Sequence, residues 1–329
     1  MPESNARRSM ADRLDQLIAA ILQPGPGAAH GITDRRLAPL GSLAAALLDM
    51  PRPEFRAQLK KDLERRALMS TTAVNPIRAG FHTVTPYVTI PDAGGLIDFV
   101  KEASAAEELI RDAGSAGGIH AEVRLGDSIM MIGGGSAFRG TPTPPMLQYY
   151  VPDADAVFAR AVAAGATVQI ELMEDHGDRF GVVRDPFGND WIVGTHLGAR
   201  YVPEGVRDLT IYLHPVGAAQ FIAFLKEVFA AAEFVRYDAP DGTVMHAKMR
   251  IGDSIIALGD ARRHTSGVEL QQMPSGMYLY VPDADAVYRR AMAAGAVSLF
   301  EPADQPYGDR LAGVQDAWEN RWYIATHMR

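Results

Sequence analysis

Residues His176–His196 read HGDRFGVVRDPFGNDWIVGTH, and Gly308–His327 read GDRLAGVQDAWENRWYIATH. Asp178 maps onto Asp309 and His196 onto His327, each 131 positions apart, so the last two-fifths of the chain repeats the part before it. A repeat of this length decides the architecture before any single element is read. Working outward, His246–Leu258 (HAKMRIGDSIIAL) echoes His120–Ile132 (HAEVRLGDSIMMI), and Tyr280–Val287 (YVPDADAV) is identical to Tyr150–Val157.

Within the first repeat, Thr83–Ile90 (TVTPYVTI) is β-branched and aromatic and predicts a strand. Leu96–Leu109 predicts a helix. His120–Leu125 and Ser128–Ile132 predict a hairpin turning at Gly126-Asp127. A strand over Met146–Val151 leads into a helix over Ala154–Ala164, and short strands over Val168–Glu171, Gly181–Arg184 and Asp190–Thr195 close the unit. The second repeat follows suit, with a strand over Leu209–Leu213 and a helix over Ala218–Phe229. Each repeat is thus two strand–helix–strand–strand–strand units, four in all. The predicted division is an N-terminal helical segment and linker over 1–75, a first domain over 76–200 and a second over 201–329.

The first seventy residues read as three helices, with Leu14, Leu17, Ile18, Ile21 and Leu22 at helical spacing in the first and Phe55, Leu59, Leu63 and Leu68 on one face of the third. Met69–Ala79 reads as a linker. Of the 329 residues 47% are hydrophobic and 22% charged, an ordinary globular composition. No apolar run of about 18 residues predicts a membrane span. The polar start MPESNARRSMADRLD predicts no secretory leader, hence a cytoplasmic protein. With no cysteine, thiolate metal sites and thiol nucleophiles are excluded. A net charge of −8 argues against nucleic acid as a partner.

Together VTPYVTIPD, HAEVRLGDSIMM, VPDADAVFARAVAAGA and GDRFGVVRDPFGNDWIVGTH resemble the vicinal oxygen chelate superfamily, and within it the PhnB-like members of the glyoxalase, bleomycin-resistance and dioxygenase group. The resemblance spans about residues 76–329 and occurs twice. It implies an α+β fold of tandem glyoxalase-like domains, each of two βαβββ units whose mixed sheets curl around a cleft. In metal-dependent members His, Gln and Glu ligands come from the concave face. Their places fall here on Thr85, Met146, Met131 and Ile192, then Thr210, Gly276, Ala257 and Tyr323. None is His, Asp or Glu, so the expectation is no metal and no other cofactor.

Because residues two apart on a strand share a face, Tyr87, Met131, Gln148, Tyr150, Ile192 and His196 fall on the concave side of the first repeat. Tyr212, His214, Tyr278, Tyr280, Tyr323 and His327 do so in the second. Such walls suit a small-molecule pocket, and the second set is the richer in Tyr and His. Several features also have structural readings: His120 and His246 as part of an edge salt-bridge ladder, His196 and His327 as strand-end caps, and Asp178-Arg179 and Asp309-Arg310 as turn clamps or as an arginine at the cleft mouth. The serines of the repeated Gly-Asp-Ser turn are expected to bond the turn backbone.

Three functions follow as expectations. The first is a metal-independent binding protein that holds an aromatic or amphipathic molecule. The second is a divergent lyase, isomerase or epimerase using His214, His327 or Tyr280 as acid–base groups, or a non-standard metal site. The third is an interaction protein docking through its N-terminal helices. Four units in one chain complete the architecture as a monomer, while the apolar faces of the N-terminal helices leave a homodimer open.

Overall fold

The computed structural model describes residues 75–114, 117–135, 138–263 and 269–328. The helices expected over the first seventy residues lie outside these. The first unit is β1 (Val84–Ile90), α1 (Ala93–Ser104), β2 (Glu107–Ala113), β3 (Ile119–Leu125) and β4 (Ser128–Gly134). The second is β5 (Met146–Tyr150), α2 (Ala154–Ala163), β6 (Thr167–Asp175), β7 (Asp178–Arg184) and β8 (Asp190–His196). The third is β9 (Leu209–Leu213), α3 (Ala218–Phe229), β10 (Ala232–Asp238), β11 (Val244–Ile251) and β12 (Ser254–Leu258). After a two-residue ribbon, β13 (Arg262–Arg263) and β14 (Glu269–Leu270), come β15 (Gly276–Tyr280), α4 (Ala284–Ala293), β16 (Val297–Asp304), β17 (Asp309–Gln315) and β18 (Arg321–His327).

The motif YVPDADAV explains itself in this frame. Its tyrosine ends a strand, and Asp153 or Asp283 caps the following helix by accepting from the amide of Ala156 or Ala286 at 2.9 and 2.8 Å. Two residues on, Asp155 binds Arg179 through two hydrogen bonds and Asp285 binds Arg310 likewise. These arginines therefore point to the helices. The alternative placing of Arg179 and Arg310 at a cleft mouth is corrected, since neighbours on a strand face opposite ways.

The strand order is the finding that sequence repeats do not supply. One sheet runs β16-β17-β18-β15-β1-β4-β3-β2 and the other β10-β11-β12-β9-β5-β8-β7-β6. The first unit thus pairs with the fourth, through antiparallel β1–β15, and the second with the third, through antiparallel β5–β9. At the first seam a side chain on Gly276 would stand 2.3 Å from the Tyr87 carbonyl oxygen, so glycine is required for the close approach.

The four helices cover one face of the sheets. Leu96, Ile97 and Val100 of α1 and Phe221, Ile222 and Leu225 of α3 are buried in one apolar core with Val88, Ile132, Leu147, Val193, Ile211 and Trp322. Each such side chain contributes about 1.5–3 kcal/mol by leaving water. Alternate strand residues lie on the opposite face of each sheet, the face that the family resemblance makes concave, and these two faces are termed the first and second hollows.

Candidate functional site

Pairing across the repeats redistributes the predicted lining. Tyr87, Met131, Tyr278, Tyr280, Tyr323 and His327 lie on the sheet that joins the first and fourth units; Gln148, Tyr150, Ile192, His196 and Tyr212 lie on the other, with His214 just beyond the end of β9. The grouping of hollows by repeat is corrected accordingly. The candidate acid–base groups are also divided, with His327 and Tyr280 in the first hollow and His214 in the second.

The first hollow is filled by its own side chains. Tyr278, Tyr280 and Met131 are buried in a cluster with Phe81, Ile129, Leu311 and Ala325, against which Tyr87, Tyr323 and Ile77 pack. Tyr87 and Tyr323 have ring centroids 5.0 Å apart, and Phe81 meets Tyr280 edge-on at 5.8 Å. The segment expected to be linker lines this hollow. The Pro76 carbonyl accepts from the amide of His327 at 2.9 Å, and Arg78 donates to both oxygens of Glu122 at 2.5 and 2.9 Å. Asp309 closes the other end, bonded to His327 Nδ1 at 2.7 Å and accepting from Tyr278 and Tyr280 at 2.7 and 3.2 Å. Burial, with Asp309 adding to it, pushes both phenols far above their ordinary pKa.

The second hollow has the same frame and different contents. The segment before β9 repeats the bonding of the segment before β1: the amide of His196 donates to the Tyr201 carbonyl at 2.8 Å, and that of Val206 to Pro203 as Phe81 does to Arg78. Val202 and Val206 pack beside Tyr150 as Ile77 and Phe81 do beside Tyr280. Matching registers put Gln148 where the first hollow has Tyr278, Ile192 for Tyr323, Ala257 for Met131, Lys248 for Glu122 and Pro203 for Arg78. Gln148, Ile192, Tyr212, His246 and Lys248 are only half-buried.

Its polar groups form a chain at one end. Gln148 Nε2 donates to the Tyr150 hydroxyl at 2.9 Å, which donates to Asp178 at 2.7 Å, while the other Asp178 oxygen lies 2.7 Å from His196 Nδ1. His196 and His327 thus hold aspartates and do not cap carbonyls. At the other end Tyr212 OH lies 2.8 Å from His246 Nδ1 and its ring stacks on His214 with centroids 4.8 Å apart. Burial, followed by the charges of Lys248 and His176, pushes the His246 pKa down to about 4, so the imidazole is neutral at pH 7. At the β5–β9 seam two buried atoms, Gln148 Oε1 and Thr210 Oγ1, have no hydrogen-bond partner. Arg78 and Lys248 were not among the predicted lining residues, and Thr210 was expected only as a metal-ligand position on the concave face. The signal for Lys248 lay in its mismatch with Glu122 inside otherwise parallel repeats.

The donor set does not fit the divalent ion of metal-dependent superfamily members. The eight positions expected to hold it carry Thr, Met, Ile, Gly, Ala and Tyr, and Glu122, Asp178 and Asp309 have both carboxylate oxygens engaged. Among the described residues no three His, Asp or Glu side chains converge.

No family model matches the chain. It is 40% identical over 118 residues to an uncharacterised protein of Mycobacterium bovis, covering 34% of this chain and 78% of that one. It is 30% identical over 189 residues to CFP32 of Mycobacterium tuberculosis, designated a candidate glyoxylase, covering 53% and 66%. Among solved structures it is similar to glyoxalase I from Zea mays, with TM-score 0.55 and 13% identity over 74% of this chain and 92% of that one. A candidate dioxygenase from Bacillus subtilis matches with TM-score 0.50 and 16% identity, covering 75% and 85%. In fold and in its four-unit architecture, the chain is similar to these glyoxalase and dioxygenase structures, the architecture that the resemblance to the vicinal oxygen chelate superfamily implied.

Proposed function

We propose that this protein binds a small amphipathic or aromatic molecule, without a metal, in the hollow of the sheet formed by β5–β12. The observation that carries this reading is the pair of unpartnered buried atoms, Gln148 Oε1 and Thr210 Oγ1, which face each other in register across β5 and β9. A buried polar atom without a partner costs about 1–3 kcal/mol, and a ligand that bonds both atoms recovers that cost. Aromatic surface from Tyr212 and His214 beside small Ala257 supplies the apolar wall and the room.

A ligand at 100 times its dissociation constant adds about 2.7 kcal/mol to stability. A thermal-shift screen of planar aromatic compounds, on protein purified without chelator and analysed for metal, tests the reading. Hits that Ala257→Trp abolishes support it. A screen without hits, or stoichiometric metal required for binding, overturns it. One observation favours a second reading, a proton-transferring lyase or isomerase: the Tyr212–His246 pair joins a phenol to a neutral imidazole within hydrogen-bond reach. Turnover of a bound compound, lost in His246→Gln with binding retained, would move the assignment there.

A further inference from the structure

The two hollows serve as controls for each other, because one duplicated frame carries two charge arrangements. In the first, Glu122 is buried to 2% exposure and the chain supplies its counter-charge through Arg78. In the second both members change: Lys248 replaces Glu122, and Pro203, which has no charge, replaces Arg78. Among the described residues no carboxylate lies within ion-pairing distance of Lys248. The acid that its charge senses across the hollow, Asp178, has its two oxygens engaged by Tyr150 and His196. Burial accordingly pulls the Lys248 pKa below its ordinary value.

We propose that the second hollow takes an anionic ligand, a small carboxylate on an aromatic or apolar body, with Lys248 as its counter-ion. This rests on the reading of that hollow as a binding site and names the class of molecule that enters it. Lys248 lies directly across the ladder from Ala257, which in turn lies across from Tyr212. The alanine leaves open the space over which a carboxylate would meet the ammonium group. Thr210, 2% exposed, has a free hydroxyl on the same face and can donate to a second ligand oxygen. Gln148 Oε1, an acceptor only, suits a hydroxyl or N–H on the body of the ligand. The first hollow cannot offer this, since Arg78 already occupies the corresponding electrostatic role beside Glu122.

The test compares matched acids and amides, beginning with fluorophenylacetate and fluorophenylacetamide and extending to larger aryl pairs, by fluorine NMR titration of the full chain. The acids are expected to bind about tenfold or more tightly than their amides, a charge-assisted contact being worth that much or more. Lys248→Met, close in volume and checked by thermal unfolding, is expected to erase the preference, and Lys248→Arg to keep it. Equal binding of acids and amides, lost in Ala257→Trp, overturns the counter-ion and leaves the hollow as the site. A preference for acids that survives Lys248→Met also overturns it. Binding of no member of the series overturns both readings together.

Discussion

Asp127 and Asp208 exchange hydrogen bonds across the junction of the two sheets: the amide of Asp127 donates to the Asp208 carboxylate at 2.9 Å, and the amide of Asp208 donates to Asp127 at 3.0 Å. At the pseudo-equivalent corner Asp253 accepts from the Thr83 amide at 2.8 Å and bonds His82 and Arg207. Ser128 and Ser254 accept from the amides of Leu209 and Val84. The repeated Gly-Asp-Ser turn is therefore a clamp on the strand that opens a unit in the other sheet, β9 or β1, and its serines bond that strand's backbone where the backbone of their own turn was expected. Asp253→Ala is expected to lower stability by about 2 kcal/mol and Asp127→Ala by about 1–2 kcal/mol, on the order of 1 kcal/mol per lost acceptor. Urea midpoints at constant slope check this.

Arg78 and Glu122 make the tightest ion pair inside a hollow. Arg78→Met leaves a buried carboxylate without its partner and is expected to cost about 2–3 kcal/mol. This is less than for a wholly buried pair, because the Arg78 side chain is 34% exposed. Adding Glu122→Leu to Arg78→Met is expected to restore most of the loss. A double-mutant cycle in which the two losses simply add would refute the pairing.

Thr210→Val removes a buried hydroxyl that bonds nothing in the free protein. The expected result is a gain of about 1 kcal/mol in the free protein, together with weaker binding of any ligand found for the second hollow. Calorimetric unfolding with and without that ligand separates the two effects. A loss of stability in the free protein would show that the hydroxyl already has a partner.

His246 gives the stability a pH signature. Its folded pKa of about 4 lies below the unfolded value of 6.5, so below pH 6.5 the unfolded chain binds a proton that the folded chain refuses. Stability is expected to fall between pH 6.5 and 4 by about 1–3 kcal/mol from this group, and His246→Gln to flatten that limb. His82 runs the other way. Its hydrogen bond to Asp253 raises its pKa, so its contribution is complete below pH 6.5 and is lost as pH rises through the folded value.

Much of this fold was legible because the repeat is its own alignment. The helix over Ala218–Phe229 and the strand over Leu209–Leu213 fall where the sequence placed them. The parity argument placed Tyr87 and Tyr323 on concave faces of different repeats, and their rings pack together at 5.0 Å across the seam. The helix expected to reach Leu109 instead stops at Ser104, because Ala105 turns left-handed at φ 56°. Leu109 sits at a register shift in β2, between Glu108 and Ile110, where the bulge interrupts the alternation that would have marked a strand. Which unit pairs with which was not legible. Nothing in the sequences of β1, β5, β9 and β15 names the partner edge, and corner contacts such as Asp127–Asp208 join residues 81 positions apart. The candidate site was half legible: its aromatic walls follow from alternation, whereas the meaning of Lys248 depends on Pro203, a neighbour across the hollow.

The pairing of β1 with β15 sets an order of completion during synthesis. The second and third units are contiguous, so their sheet can close while the ribosome is still making the fourth. The first unit, though translated earliest, must keep the open edge of β1 uncommitted until residues roughly two hundred positions later emerge. A bare strand edge held that long invites pairing between neighbouring nascent chains. Truncation before Gly276 would therefore be expected to yield aggregates or exchanged dimers, with the internal sheet intact.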